Sequence, residues 1–181
     1  KKNKKILFEI GTEEQSGSTS TFEEIEYFLN KLNIFYKKNK IPKATFMVIQ
    51  CGTKVMETKN IGSFEYPLRI INEVPVEIQL PKTIEICKKY NVYMKEHNGD
   101  YLSDDSLMWH PRLGIHAVNV APEFGVAETK SLVRILNNLN HKKLAEKFLE
   151  ISYNSKKWEK WIINKDKITD YEKSIISGHY V

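Results

Sequence analysis

The chain has 181 residues, the size of one ordinary domain, and its 41% hydrophobic content is enough for a packed core. No run reaches the roughly 18 consecutive apolar residues of a membrane span, and the two cysteines, Cys51 and Cys87, are too few for a disulfide framework and lack zinc-site spacing. The net charge of +5 comes from lysines scattered among asparagines and isoleucines, so we expect a cytoplasmic protein with no nucleic-acid or membrane partner.

The first predicted elements are a strand and a helix. Residues 5–13 form an apolar run closed by glycine, which is typical of a buried strand. Apolar residues then recur at helical spacing over residues 22–35, and the helix is predicted to end near Asn39. Ser20 or Thr21 can cap this helix, because a glutamate follows each of them three residues later, as in a capping box.

The middle of the chain contains two further strands separated by a segment without a lasting period. Residues 44–53 repeat the apolar pattern of the first strand. Residues 54–80 are interrupted by prolines and predict an extended excursion with short strands. A helix is predicted from Pro81, with the proline in its first turn, and NVYMKEHN then predicts a third strand that ends at His97.

The last third of the chain contains one more strand and several helices. DDSLMWHPRLG predicts a short helix or loop stopped by Pro111. GIHAVNVAPEFG predicts a fourth strand, which ends between Asn119 and Pro122, and a helix begins at that proline. HKKLAEKFLEIS and SKKWEKWIIN predict further helices in a tail that covers about residues 141–181.

Continuous apolar strands that alternate with helices predict an α/β fold with a parallel sheet covered on both faces. Polar residues follow each strand, where a (β/α) barrel and an open doubly wound sheet both hold their sites. The pattern does not separate these two architectures. Four strands are half of a closed eight-stranded barrel, so either the fold is open or the chain is the second half of something longer.

Four clusters of polar residues follow the predicted strands. They are Glu9, Thr12, Glu13 and Glu14; Gln50, Gly52, Thr53 and Lys54; Glu96, His97 and Asp100; and Asn119, Pro122 and Glu123. Carboxylates and amides bind hydroxyl groups, while a lysine and glycine-borne amides bind phosphate. The clusters therefore suit a polyhydroxylated, phosphorylated small molecule.

Each of these residues also has a purely structural interpretation. Gly11 and Gly52 can serve only tight turns, Lys54 can be solvated, and His97 can be a hydrogen-bonding loop residue. His110 looks structural, and His116 is expected to pack or to line a barrel wall. No paired histidine or cysteine motif assembles a zinc site, although histidines from separate strands can still converge.

Four segments, FEIGTEEQSG, VIQCGTKVM, KEHNGDYL and GIHAVNVAPEFGVAETKSLVRIL, occur in this order along the chain. Together they resemble the family of the tagatose-bisphosphate aldolase non-catalytic subunit, which also carries a tagatose-6-phosphate kinase label. The tail segment KKWEKWI is similar to a W-x-K-Y stretch of that family, and the resemblance covers most of residues 5–165. The chain has no Walker-type phosphate loop, so we do not expect kinase activity.

The resemblance implies a TIM barrel, with residues 1–181 forming one partial domain that comprises the C-terminal half and the helical tail. It also implies a role in ketose-bisphosphate metabolism, a catalytic aldolase subunit as partner, and the divalent-metal chemistry, usually of zinc, found in class II aldolases. On this comparison His97 corresponds to a metal ligand. Glu13 and Asp100 are candidate bases, and the sugar-phosphate contacts are Gly11, Gln50, Gly52, Lys54 and Asn119.

Departures from the pattern of active class II aldolases favour the non-catalytic role. An Asp-His segment expected on an earlier strand is absent, and Asn-Gly-Asp follows His97 where a Gly-Gly-Ser phosphate loop would stand. The alternatives are a metal-dependent aldolase in its own right, with His97 as ligand and Glu13 or Asp100 as base, and a sugar-phosphate binding module without chemistry.

Overall fold

The fold combines a parallel sheet with helices, and the computed structural model describes residues 6–11, 21–66 and 74–181. The strands in these ranges are β1 (Glu9–Gly11), β2 (Phe46–Ile49), β3 (Val55–Met56), β4 (Lys59–Asn60), β5 (Tyr93–Glu96) and β6 (Ala117–Val118). The helices are α1 (Phe22–Asn39), α2 (Val76–Tyr90), α3 (Asp104–Leu113), α4 (Pro122–Asn138), α5 (Lys142–Asn154) and α6 (Asp170–Ser177). The α/β class predicted from the sequence is confirmed. None of the helices in these ranges is long and apolar enough to cross a membrane.

The main sheet has the strand order β1-β2-β5-β6, and every neighbouring pair is parallel. The order follows the chain without reversal, so these four strands contain no switch point of the doubly wound kind. The described residues form no closed barrel, and β1 and β6 are the two edges of the sheet. Strands β3 and β4 form a separate antiparallel hairpin within the excursion predicted at residues 54–80.

Helix α1 begins and ends where its local signals predict. The Thr21 hydroxyl accepts a hydrogen bond from the Glu24 N–H at 3.2 Å, and the Glu24 carboxylate accepts one from the Thr21 N–H at 3.0 Å. This is the predicted capping box, which satisfies two amides at the helix terminus. The helix ends at Asn39, followed by Lys40 in the left-handed conformation.

The principal core lies between the sheet and helices α1 and α2. Alternate strand residues point to the same face of a sheet, and Met47, Ile49 and Met94 all point towards the helices. They meet Ile25 and Leu29 of α1, together with Leu80, Ile84 and Cys87 of α2. The apolar runs of β2 and β5 therefore form the contact between the sheet and its helices. The first run, predicted as a buried strand, is largely exposed, with Ile6 at 70% and Leu7 at 62%.

The opposite face of the sheet is more polar, which differs from the prediction of a sheet covered on both faces. Tyr93, which alternates with Met94, is 53% exposed. The Lys95 ammonium pairs with the Glu9 carboxylate at 2.7 Å across the intervening strand β2. The parallel sheet therefore has one apolar, helix-covered face and one face with charged and exposed aromatic side chains.

Two helices extend past prolines that the sequence suggests as a start and a stop. Helix α2 begins at Val76, five residues before Pro81, and helix α3 continues through Pro111 to Leu113. A proline inside a helix forfeits one backbone hydrogen bond and costs about 3 kcal/mol. Burial of Leu80 on α2 offsets this cost, and Gly114, at a φ of 92°, ends α3 instead of the proline.

The C-terminal helices form two smaller cores of their own. Val126 and Val133 of α4 pack with Ala145 of α5 and Ile175 of α6. Trp158, Ile162 and Ile176 form the second cluster. The helix predicted over SKKWEKWIIN is instead a short 3-10 turn, Lys157–Trp161. The tail is thus helical, as predicted, but its middle is a tight turn.

A matched pair of substitutions on α1 tests the assignment of the core. Replacing Ile25, which is fully buried, by alanine should lower the free energy of unfolding by about 2–5 kcal/mol, because the site loses apolar contacts and leaves a cavity. Replacing Ile34 on the same helix, which is 56% exposed, should change it by less than about 0.5 kcal/mol. Urea denaturation measures both values, and equal losses would contradict the assignment.

Candidate functional site

A cavity of about 450 Å³ lies at the carboxyl ends of β5 and β6. It is enclosed by the residues that lead into β3, the loops after β5 and β6, and the C-terminal tail. Its polar and aromatic lining residues are Lys54, His97, Asn98, Asp100, Asn119, Lys160, Trp161 and Tyr180. The structure thus brings four residues of the sequence prediction together in one place, namely Lys54, His97, Asp100 and Asn119.

His97 follows β5 directly, and its backbone N–H donates to the Ile49 carbonyl at 2.9 Å. Its side chain is half-buried and lines the cavity, and its Nδ1 is buried without a hydrogen-bond partner. Glu96 is fully buried on the other side of the strand, as strand alternation predicts. His97 therefore lines the cavity with an imidazole whose Nδ1 accepts or donates no hydrogen bond within the described residues.

The fit of the site to a zinc ion can be judged from the donors around His97. His116, expected to pack or line a barrel wall, is an exposed residue whose ring lies 4.7 Å from that of Tyr93 and does not reach the cavity. In the ranges that the structure describes, no group of three His, Cys, Asp or Glu side chains could hold a metal. These residues do not fit the three or four ligands of a zinc site.

Asp100 fixes the amino terminus of helix α4. Its Oδ1 accepts hydrogen bonds from the N–H groups of Ala121 at 2.9 Å and Glu123 at 2.8 Å, which the helix itself leaves without partners. In return the Glu123 carboxylate accepts from the Tyr101 N–H at 2.7 Å. Burial raises the pKa of Asp100, and the hydrogen bonds from Glu123 and Ala121 oppose that rise. The carboxylate predicted as a base thus has one oxygen committed to holding α4.

The Asn-Gly-Asp turn after β5 packs closely against β6. The Gly99 N–H donates to the Asn119 carbonyl at 2.9 Å. A Cβ at Gly99 would lie 1.9 Å from Cγ1 of Val118, so the contact requires glycine. This close approach of the two loops places His97 and Asn119 on the same cavity.

Asn60 ties the hairpin to the loop after β5. Its side-chain amide donates to the carbonyls of Asn98 and Asp100, both at 2.9 Å. Its side-chain oxygen accepts from the backbone N–H groups of Lys54 at 3.0 Å and Gly62 at 3.1 Å. All the hydrogen-bonding capacity of this buried side chain is used, so it orders the cavity wall without contributing to the lining.

Two residues predicted as substrate contacts, Gln50 and Gly52, instead make contacts inside the protein. Gln50 is buried, and its amide donates to the Thr53 carbonyl at 2.8 Å while its oxygen accepts from the Asn98 side chain at 3.0 Å. Gly52 has a φ of 82° and lies against Phe64 and Val76, where an added Cβ would be 2.7 Å from a Val76 methyl. Neither residue lines the cavity.

Of the two site residues predicted at the end of the first strand, Gly11 and Glu13, the structure describes only Gly11. Gly11 is described at the end of β1 and does not line the cavity. Glu13, the other candidate base, lies outside the described residues, as do Thr12 and Glu14. Of the four predicted clusters, the second, third and fourth contribute residues to the lining of the cavity.

Glu96 is the most deeply buried acid at this edge of the sheet. Its Oε1 accepts from the Cys51 N–H at 2.7 Å and lies 3.0 Å from the Thr53 hydroxyl, which also lies 2.6 Å from the His97 carbonyl. The single proton of the Thr53 hydroxyl is thus offered to two acceptor oxygens. Burial raises the pKa of Glu96 well above its usual range, and the hydrogen bonds from Cys51 and Thr53 oppose that rise, so burial is what favours the neutral carboxyl.

The tail supplies three lining residues that sequence reasoning missed. Lys160, Trp161 and Tyr180 complete the cavity, and the Trp161 carbonyl accepts from the Glu57 N–H of the hairpin at 2.6 Å. The KKWEKWI stretch stood out in the sequence as family-like, but nothing in its pattern assigns it to a site. That assignment requires the contact between the tail and the hairpin.

The fold and the site together define an α/β protein with a parallel sheet and a polar cavity at its carboxyl edge. Comparison with protein-family models, curated proteins and solved structures finds no match to this chain. A functional proposal therefore rests on the cavity and on the sequence resemblance.

Replacing Glu96 by glutamine tests its neutral state. The folded protein retains a proton that the unfolded chain releases near pH 4.5, the ordinary pKa of a glutamate side chain. The free energy of unfolding should therefore fall as the pH rises above that value. In Glu96→Gln this fall should be smaller, by up to about 1.4 kcal/mol for each pH unit. Denaturant unfolding between about pH 5 and pH 8 measures the slope.

Glu85→Gln is the matched control, because Glu85 is exposed on α2 and should leave the slope unchanged. Asp100, whose pKa is also raised by burial, contributes a slope of the same sign in both variants. Identical slopes in the wild type and in Glu96→Gln would show that Glu96 is ionised in the folded protein.

Proposed function

We propose that the protein binds a ketose phosphate in the strand-end cavity and acts as the non-catalytic subunit of an aldolase of the tagatose-bisphosphate type. The observation that carries this proposal is the convergence of Lys54, His97, Asn98 and Asn119 on one cavity. An ammonium group suits a phosphate, while amides and an imidazole suit sugar hydroxyls. The volume of about 450 Å³ lies within the range of small-molecule sites.

We further propose that the chain forms the C-terminal half of a TIM barrel followed by a helical tail. The sequential order of four parallel strands supports this, because successive strands of such a barrel are neighbours. The helices lie outside a TIM barrel and the opposite sheet face lies inside, so Glu9, Tyr93 and Lys95 would belong to the inner wall. The cavity also lies at the carboxyl end, where TIM barrels hold their active sites.

The hydrogen bonds that Asp100 accepts from helix α4 support the non-catalytic role. A general base needs a free oxygen within reach of the substrate, and one oxygen of Asp100 already accepts two hydrogen bonds from α4. The Asn-Gly-Asp turn also stands where an active class II aldolase has its phosphate loop. The role of this subunit would be to bind and stabilise a separate catalytic chain.

A second candidate is a metal-dependent aldolase in which His97 is a ligand. The position of His97 on the cavity favours it, because imidazole nitrogens are common metal ligands. We place this candidate second because the described donors do not complete such a site.

Aldol cleavage of tagatose bisphosphate separates the two candidates. The protein should show no cleavage alone, and it should raise the activity or the thermal stability of a catalytic aldolase subunit of the tagatose-bisphosphate type. Cleavage by the protein alone, abolished by His97→Ala and by chelation, would favour the second candidate. If the protein neither cleaves the substrate alone nor changes the activity or stability of the aldolase subunit, the aldolase assignment is refuted.

Lys54→Met tests ligand binding independently of cleavage. Hydrogen bonds to charged groups contribute about 1.5–3 kcal/mol, so the affinity for tagatose bisphosphate should fall roughly ten- to hundred-fold in calorimetric titration. Lys59→Met is the control, because Lys59 is on the hairpin that directly follows Lys54, but it pairs with Glu57 at 3.4 Å and does not line the cavity. Equal effects of the two variants would contradict the placement of the ligand.

A further inference from the structure

One wall of the cavity is formed by a lysine held against two aromatic rings of the C-terminal tail. The Lys160 Nζ lies 4.8 Å from the centre of the Trp161 ring and 5.1 Å from that of Tyr180. All three residues line the cavity, and Lys160 is at its exposed rim. We call this group the cation–aromatic wall. The two rings restrict where the ammonium group can lie, since each attracts it electrostatically.

The cation–aromatic wall is anchored at several points. The Trp161 carbonyl accepts from the Glu57 N–H at 2.6 Å, which fixes the tail to the hairpin. Trp158, three residues earlier, is 6% exposed and donates its indole N–H to the Tyr153 carbonyl at 2.9 Å. Ile162, directly after Trp161, is buried in the same cluster. The wall is therefore positioned before any ligand arrives, which lowers the entropic cost of binding.

Lys160 has no acidic partner among the described residues, unlike the tail residues Lys165 and Lys173. Lys165 lies 3.5 Å from the Glu159 carboxylate and Lys173 lies 2.9 Å from that of Asp170. In the described part of the chain, no carboxylate lies within ion-pair distance of Lys160. The one carboxylate that lines the cavity, Asp100, directs Oδ1 to the terminus of α4. The cavity therefore has an excess of positive charge.

The resulting arrangement has a cation on each of two separate segments. Lys54 enters from the residues before β3, and Lys160 enters from the tail. Between them lie the amides and imidazole that suit hydroxyl groups. The phenol of Tyr180 is neutral and can donate a hydrogen bond to an anion.

We propose that the cation–aromatic wall is an anion-binding part of the site, in which Lys160 binds a phosphate group of the sugar ligand and the Trp161 and Tyr180 rings pack against its carbon skeleton. This assigns the tail a direct role in selecting phosphorylated over unphosphorylated sugars. It rests on the proposed function for the identity of the ligand, but the anion site itself follows from the charges and rings of the tail.

Calorimetric titration of the full chain tests the wall with three probes: tagatose bisphosphate, unphosphorylated tagatose and inorganic phosphate. Lys160→Met should weaken binding of tagatose bisphosphate roughly ten- to hundred-fold and leave the affinity for unphosphorylated tagatose unchanged. Lys160→Arg, which keeps the charge, should restore most of the affinity. Lys165→Met removes a tail lysine that also lies over a ring, Trp158 at 5.6 Å, but does not line the cavity, and should have no effect.

The possible outcomes separate the wall from the proposed function. If the wild type binds tagatose bisphosphate and Lys160→Met binds it equally well, the cation–aromatic wall does not bind the phosphate, while the proposed sugar-phosphate site is supported. If the wild type binds inorganic phosphate but neither tagatose ligand, and Lys160→Met no longer binds phosphate, the anion site at the cation–aromatic wall is supported and the proposed function is refuted. Absence of binding for all three probes refutes both. If Lys160→Met lowers the affinity for tagatose bisphosphate and for unphosphorylated tagatose by the same factor, Lys160 has a structural role and the proposal is overturned.

Discussion

The parallel direction of the four sheet strands is the constraint on which the site depends. Parallel strands need a crossover between each pair, and here each crossover returns the chain so that every strand ends at the same edge. Residues far apart in sequence, such as Lys54, His97 and Asn119, thereby meet at one cavity. The apolar contact between the sheet and helices α1 and α2 holds this arrangement in place.

Polar side chains, rather than apolar packing, fix the loops at that edge. Asn60 joins the hairpin to the turn after β5, Asp100 joins that turn to α4, and Glu96 joins β5 to the turn after β2. A buried polar group left without a partner costs about 1–3 kcal/mol, so each bond strongly favours one loop conformation. The loops are thus pre-organised, which is what a site needs in order to hold a ligand in one pose.

Local signals in the sequence predicted much of the fold. The capping box at Thr21 and the apolar run of β2 are properties of neighbouring residues, and the structure confirms both. The first apolar run is a strand only at Glu9–Gly11, and it is not the buried strand that was predicted, because it lies at an edge of the sheet. Pro81 and Pro111 misled the prediction of helix boundaries, because each helix continues past its proline. Burial of Leu80 stabilises α2 around Pro81, whereas α3 runs only two residues beyond Pro111. Strand order is also a tertiary property, which explains why the sequence left the barrel and doubly wound arrangements unseparated.

The candidate site was predictable only where strand ends identify it. Lys54, His97, Asp100 and Asn119 follow predicted strands and do line the cavity. Gln50 also follows a strand, but its hydrogen bonds to Thr53 and Asn98 hold it beneath the surface. Lys160 and Tyr180 could not be found in this way, because the fold of the tail brings them to the site.

A crystal structure of the protein with tagatose bisphosphate would test most directly the claim that the strand-end cavity binds a phosphorylated sugar. We expect one phosphate within hydrogen-bond distance of the Lys54 ammonium group, the other against Lys160, and sugar hydroxyls near Asn119. A ligand bound elsewhere on the protein, or an unchanged cavity at a saturating ligand concentration, would contradict the claim.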